Sequence, residues 1–593
     1  MSRILRPKHF VATALVVALA APVASMGCSS DRIVFVEDTS KFSSPDAAPP
    51  PPPCGLQCTL DHRSVIDTCT GAVVETCAED RACGAGVCQE PCAAAAADKS
   101  SNGCDFYLQP PAYRLWQGCF AAYVVNTSTV PVDLTLALGD DRLDLSNAVY
   151  EPRSNDPTQL DRHEGPVLPG KTVVVYVSDQ DPAKGNNNTP CPKGVTPATF
   201  VEPVPNGTGR GKAFRLTTNA PVGLASIYPW GAARDSTTTA TLLLPVPLWG
   251  KENMIVNGWS VVVLFKYFGG NGPTTQIVAS TDDTQVTVYP KRAIQGGPDV
   301  AATVDGVPVT YQLNRGEVVQ FDQIQELTGS VVVSNNPITI FGGHECALIP
   351  SDTPACDYLQ QQLPALAQWG SEYAAAGYRS RSGGTEPVPY RIVAARDGTK
   401  LDYDPPQPPT GAPLELAAGE TATFYAGNDD AFVVRTQDAE HPIYVAAYMT
   451  GGSTTPYGDG DAEYVNVIPA QQYQSAYSFY ADPTYRDTSL VIIRRKTGGV
   501  FKDVWLDCAG TLSDWKPIGV RGEYEWRRVD LARKFGKGDS FGDVTCGLGL
   551  HQMQSDGEFT ATLWGWDWYA SYAYPGGTAL RNVTTSSFAP VVH

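Results

Sequence analysis

Apolar positions along this chain fall in short β-branched and aromatic runs separated by Gly, Pro, Asn and Asp. Few stretches show the three-to-four spacing of an amphipathic helix. The pattern also repeats. Three strand–Pro–strand units line up: "FRLTTNAPVGLASIYPWG" (214–231), "VVVSNNPITIFGG" (331–343) and "FVVRTQDAEHPIYVAAYMTG" (432–451). Each is followed by an apolar-Pro element ending in an aromatic: "LPVPLW" at Trp249, "LPALAQW" at Trp369 and "IPAQQY" at Tyr473. The first-to-second proline intervals are 24, 27 and 27 residues, and the second prolines lie 119 and 105 residues apart.

Other segments keep step. "QIVASTDDTQVTVYP" and "RIVAARDGTKLDYDP" read as strand–turn–strand hairpins with Asp-Asp or Asp-Gly at the turn. A Leu–Gly–charged opening precedes a strand in "LPGKTVVVYV", "LNRGEVVQFD" and "LAAGETATFY". A fourth, diverged unit runs from "LVIIRRKTGGVFKDVWLDC" to "FTATLWGWDWYASYAYPGG". A period of 105–120 residues is too long for a solenoid and suits a β-sandwich of about seven strands. The expected class is therefore all-β: about four tandem sandwich-like modules, each with its own core, at 103–250, 251–370, 371–473 and 474–577. A large propeller-like β assembly is the alternative. Helix is expected to be scarce, with one short helix at "DYLQQQLPALAQWG".

Composition agrees, with 42% apolar and 18% charged residues, 55 Gly and 48 Pro. The net charge of −19, without a basic run beyond the first eight residues, argues against a nucleic-acid partner. Arg3, Arg6 and Lys8 precede the apolar run "FVATALVVALAAPVA" and then "SMGC", the layout of an export signal over residues 1–27. Ser25-Met26-Gly27-Cys28 resembles a bacterial lipobox, with Ser25 where Leu is usual, so Cys28 is the expected lipidation site and the membrane an expected partner. Setting Cys28 aside leaves 14 of 15 Cys, an even number suited to an oxidising compartment. Residues 28–53, with five consecutive prolines, read as an extended stalk. Seven Cys between Cys54 and Cys92 then form a disulfide-stapled module without zinc-ribbon spacing. An odd count sends at least one bridge outside it, with Cys104, Cys119 and Cys191 as candidate partners. A tail follows at 578–593.

Candidate chemistry is sparse. In "GGHECALIPSDTPAC", Cys346 and Cys356 lie ten apart, as in a disulfide-closed loop, and His344 belongs to no HExxH motif. Cys508 and Cys546 are a second candidate pair. "GDGDAE" sets Asp459, Asp461 and Glu463 at alternate positions, read as a solvated acidic turn in preference to a calcium site. In "LWGWDWYASYAYP", strand alternation puts Trp564, Trp566, Trp568, Tyr572 and Tyr574 on one face, a possible stacking platform or a core stripe. No GxSxG, Walker loop, HExxH or dinucleotide fingerprint occurs, so no catalytic residue, metal or cofactor is assigned and no enzyme is expected.

Four ordered segments, "LTGSVVVSNNPITIFGGHEC", "CDYLQQQLPALAQWGSEYAAAGYRSR", "YRIVAARDGTKLDYDP" and "SYAYPGG", resemble the N-terminal domain of the IgGFc-binding protein, over roughly Gly103 to Gly577. That domain recurs in bacterial surface lipoproteins, notably of myxobacteria. The resemblance implies adhesion to matrix, mucin-like proteins or glycans at the outer membrane and cell surface, without catalysis. A structural envelope protein binding other proteins is the alternative. Von Willebrand D domains and their Gly-Asp-Pro-His motif are not found, and Fc binding is not carried over.

Overall fold

Seven strands recur four times in the same order and pairing. The computed structural model describes residues 54–585 and 587, except Leu60 and residues 113–116, 154–155, 186–188, 232–236, 261–271 and 535. The leader, Cys28 and the stalk lie outside the described residues, as does most of the tail.

In each module the sixth strand is central: Phe214–Tyr228, Val331–Ala347, the broken pair Phe432–Thr436 and Ile443–Met449, and Gly549–Asp567. Its first half pairs with the first and third strands of the module, and its second half with the second and seventh. The long strand therefore bends through both sheets of a sandwich. In the first three modules the bend falls at Pro221, Pro337 and Pro442, residues without an N–H to give a continuous ladder. The fifth strands are Thr172–Ser178, Glu317–Asp322, Thr421–Gly427 and Tyr524–Arg533. A left-handed glycine opens each of them, at Gly170, Gly316, Gly419 and Gly522. In the fourth module this signal, "RGEYEW", was not read from the sequence.

The expected hairpins are arches. Pro273–Ala279 and Thr284–Tyr289 do not pair with each other; they pair with opposite halves of Val331–Ala347. Pro387–Ala394 and Thr399–Asp404 behave likewise, because the Asp-rich turn carries the chain from one sheet of the sandwich to the other. The expected helix is absent too: Asp357–Leu363 is a fully buried strand, followed by one 3₁₀ turn, Leu366–Gln368. That turn matches Val246–Leu248 and Ala470–Gln472, so Ala365, not Pro364, stands where Pro245 and Pro469 precede their turns. The one α-helix among the described residues, Pro91–Asp98, starts on a proline at its first position and continues through five alanines. It is too short to cross a membrane, and no described helix is long and apolar enough to do so.

The modules do not keep separate cores. Each large apolar cluster joins neighbours: the first module to the second, the second to the third, the third to the fourth, and the fourth back to the first. One sheet per module is therefore buried on both faces, as in Phe120–Asn126, Pro273–Ala279 and Ile443–Met449. The other sheet keeps a wet face; Thr284–Tyr289 alternates buried and exposed.

The seventh strands line an axis. Thr239–Leu242 lies beside Asp357–Leu363, then Glu463–Asn466, then Ala570–Pro575, which returns to Thr239–Leu242. Sandwiches are thus set in a circle, so both architectures left open by the sequence occur, at different levels. On the axis, the Gln361 side-chain amide donates to the carbonyls of Ala240 (2.7 Å), Tyr464 (2.9 Å) and Ala573 (3.4 Å), one on each other module. Beside it the buried Glu463 carboxyl accepts from the Thr239 hydroxyl (3.1 Å) and the Tyr464 N–H (2.8 Å). Burial pushes that carboxyl well above the ordinary range, against the pull of these donors.

The Cys-rich module is built differently. Among the described residues its buried apolar cluster is Val65, Cys77 and Cys83, and bridges Cys54–Cys69, Cys58–Cys83 and Cys77–Cys88 hold it. The seventh cysteine, Cys92, reaches Cys104 in the first sandwich, and Cys119 pairs with Cys191.

Candidate binding face

At one end of the axis the chain leaves the first three seventh strands through the 3₁₀ turns. There Gln368 donates to Leu248 O (2.7 Å), and Gln472 to Gln368 O (3.0 Å) and Arg581 O (2.7 Å). The indoles of Trp249 and Trp369 donate to Leu244 O and Pro364 O. This end is closed by one repeated device.

The opposite end carries the connections from sixth to seventh strand, and the second, third and fourth, which are described throughout, all differ. The second, residues 348–356, is closed by the bridge Cys346–Cys356, with Cα atoms 5.0 Å apart. The third, residues 450–462, receives the second: Gly451 N–H donates to Ile349 O (2.7 Å), and the Ser453 hydroxyl to Pro354 O (2.7 Å). The fourth is a two-residue turn, Trp568-Tyr569, gripped by the third. Tyr569 N–H donates to Gly458 O (2.8 Å), Gly460 N–H donates to Asp567 O (2.7 Å), and Asp459 pairs with Arg486. Thr238 and Ser571 then join the first and fourth connections, with Ser571 N–H donating to the Thr238 hydroxyl (3.0 Å). Gly458 has a left-handed φ of 68°, and a Cβ there would meet the Trp568 indole nitrogen at 2.9 Å.

This grip leaves two large rings in solvent. Trp568 is 45% exposed and Tyr457 is 77% exposed. Trp568 packs edge-on to Tyr569, with centroids 5.2 Å apart. Tyr457 was not singled out from the sequence, where nothing separates it from other turn tyrosines.

The five-residue aromatic stripe does not exist as one face. Trp564 and Trp566 are buried in the core shared with the third module, against Tyr378, with the Arg379 guanidinium 4.8 Å from the Trp566 ring. Tyr572 and Tyr574 lie in the core shared with the first module. The reason is the turn: Gly565 faces Tyr572 and Leu563 faces Tyr574, so the returning strand's tyrosines share the face opposite Trp564 and Trp566. Only Trp568, at the tip, is left outside.

"GDGDAE" is not a solvated turn either. Asp461 and Glu463 are buried, and the three acids part company: Asp459 to Arg486, Asp461 to the N–H groups of Ala462 (2.8 Å) and Gly452 (3.3 Å), Glu463 to the axis. His344 is buried, and burial holds its imidazole down at about 3, so it is neutral. Its Nδ1 accepts the Cys346 N–H (3.0 Å). Among the described residues, two groups bring metal-type ligands together, Cys58–His62–Asp98 and Asp507–Cys508–His551. In each the sulfur is spent in a disulfide, Cys58–Cys83 or Cys508–Cys546, which leaves two donors.

Residues 239–565 match the family described as IgGFc binding protein. The human IgGFc-binding protein is 26% identical over 313 residues, a match that spans half of this chain and 5% of the human protein. No solved structure matches the chain.

Proposed function

Because the chain belongs to the IgGFc binding protein family, we propose that it is a binding protein and not an enzyme, exported, lipid-anchored through Cys28 and held at a bacterial cell surface. Its ligands on this reading are glycans or glycoproteins of matrix or mucin type. The observation that carries the reading is the loop end of the axis, where Trp568 and Tyr457 stand in solvent on a hydrogen-bonded support. Aromatic rings fixed before binding stack on the C–H faces of sugars or on a protein side chain with little loss of entropy. Ionisable groups of this end are engaged: Asp459 by Arg486, Asp567 by the Trp568 N–H (2.6 Å), and His344 is neutral in the core.

A second reading, a structural envelope protein, draws on the burial of Trp564 and Trp566, which serve packing between modules. Particles coated with the full chain, tested on a glycan and mucin array, separate the two. Adhesion predicts binding by coated particles, through many weak contacts acting together, and its loss in Trp568→Ala and Tyr457→Ala. Equal negligible binding by coated and bare particles would leave the envelope role.

A further inference from the structure

In three modules the fifth strand carries an extra strand on its outer edge. Val149–Arg153 covers Thr172–Ser178, Gly209–Lys212 covers Glu317–Asp322, and Lys516–Ile518 with Gly536–Lys537 covers Tyr524–Arg533. In the third module, Thr421–Gly427 pairs with Pro387–Ala394 on one side, and no described strand pairs with the other. Bonds from Ala394 N–H to Glu420 O and from Asn428 N–H to Glu386 O bracket this pair. Even-numbered residues therefore bond inward, and the amides and carbonyls of Thr421, Thr423 and Tyr425 face the open edge. Pro387 and Pro389 stand opposite Gly427 and Tyr425, where no inward N–H bond is made.

A groove of about 560 Å³ runs past Tyr425 and Gly427, walled by Pro408 and Phe432. Two acids line it and no Lys or Arg does: Asp429, which pairs with Arg528 and Lys516 beside the groove, and Asp430, which has no ion pair among the described residues and carries the groove's negative charge. The strand that fills the equivalent edge of the second module, Gly209–Lys212, carries Arg210 and Lys212. We propose that Thr421–Gly427 is a strand-addition site for an extended basic segment of a partner protein. Main-chain bonds to Thr423 and Tyr425 supply affinity, and the acidic groove selects the charge. A second copy of the same edge would bring its own Asp430 against this one, which disfavours self-pairing.

The site rests on the reading of the chain as a binding protein but is separate from Trp568. The probe is a labelled peptide with the sequence of Asn206–Ala213, tested on the full chain at low salt. Binding is expected, with slowed hydrogen exchange at Thr423 and Tyr425. It should weaken at least fivefold in Thr423→Pro, which removes an outward N–H without breaking an inward bond, and in a peptide with Glu for both basic residues. Thr423→Val should bind as the wild type, and so should Trp568→Ala. No binding, binding indifferent to Thr423→Pro, or a dimer that Thr423→Pro abolishes would each overturn the proposal. Array binding retained alongside such a failure would leave the loop-end reading intact.

Discussion

The two ends of the axis are made from the same seventh strands and differ in almost everything else. One end repeats a single device, a 3₁₀ turn closed by an aromatic, with glutamines bonding turn to turn. The other has a disulfide loop, a glycine-rich loop and a two-residue turn side by side. Where one device serves several modules, the requirement is common to them, namely closing the circle. Where the connections differ, closure does not explain the difference, and the exposed Trp568 and Tyr457 lie there. Stability should reside in the repeated end and binding in the varied one.

The sharpest test of that division is Trp369→Ala at the closed end. This fully buried indole should cost about 3–5 kcal/mol. Because its core spans two modules, calorimetry should show one shifted transition and not the loss of a single module. Replacing Cys346 and Cys356 by Ala, at the loop end, should cost about 2–3 kcal/mol from the short closed loop; non-reducing peptide mapping of the wild type should find the two joined.

His344 lies under the same loop end. The unfolded imidazole takes up a proton near its ordinary 6.5 and the folded one only near 3. Stability should therefore fall as pH drops through that window, by about 1.4 kcal/mol per unit from this group. His344→Gln should flatten that slope in denaturant titrations at pH 5 and 7 and leave the slope above pH 7 unchanged. Smallest of all, Trp568→Ala should move stability by under about 0.5 kcal/mol while abolishing array binding. A large loss of stability there would break the comparison.

Much of the fold could be read from residue patterns, because the repeat was written in them. The prolines at 221, 337 and 442 mark the bend of the sixth strand, and "LPGK", "LNRG" and "LAAG" mark the fifth. Pairing was less legible. An Asp-Gly turn between alternating strands serves a hairpin and an arch equally, and only the partner strand, tens of residues away, decides. The site was harder. Period-two alternation cannot tell a strand with one wet face from one buried on both, so Trp564 and Trp566 read like Trp568. The turn at Trp568-Tyr569, without Gly or Pro, hid the reversal that sends Tyr572 and Tyr574 to the other face. Tyr457 is exposed because of contacts made by Gly458, which no local pattern announces.

The bridge from Cys92 to Cys104 has a mechanical meaning. Within the loop that it closes, Ser101 N–H donates to Thr578 O (2.8 Å) and Lys99 O accepts from Leu580 N–H (2.6 Å), antiparallel contacts with the segment after the fourth module. A pull on the segment before Cys92 passes through the disulfide to Cys104 and leaves Lys99 and Ser101 unloaded. The core shared by the first and fourth modules holds the circle besides. Force therefore enters the first sandwich by a covalent path, and cutting that bridge would reroute it through the two hydrogen bonds.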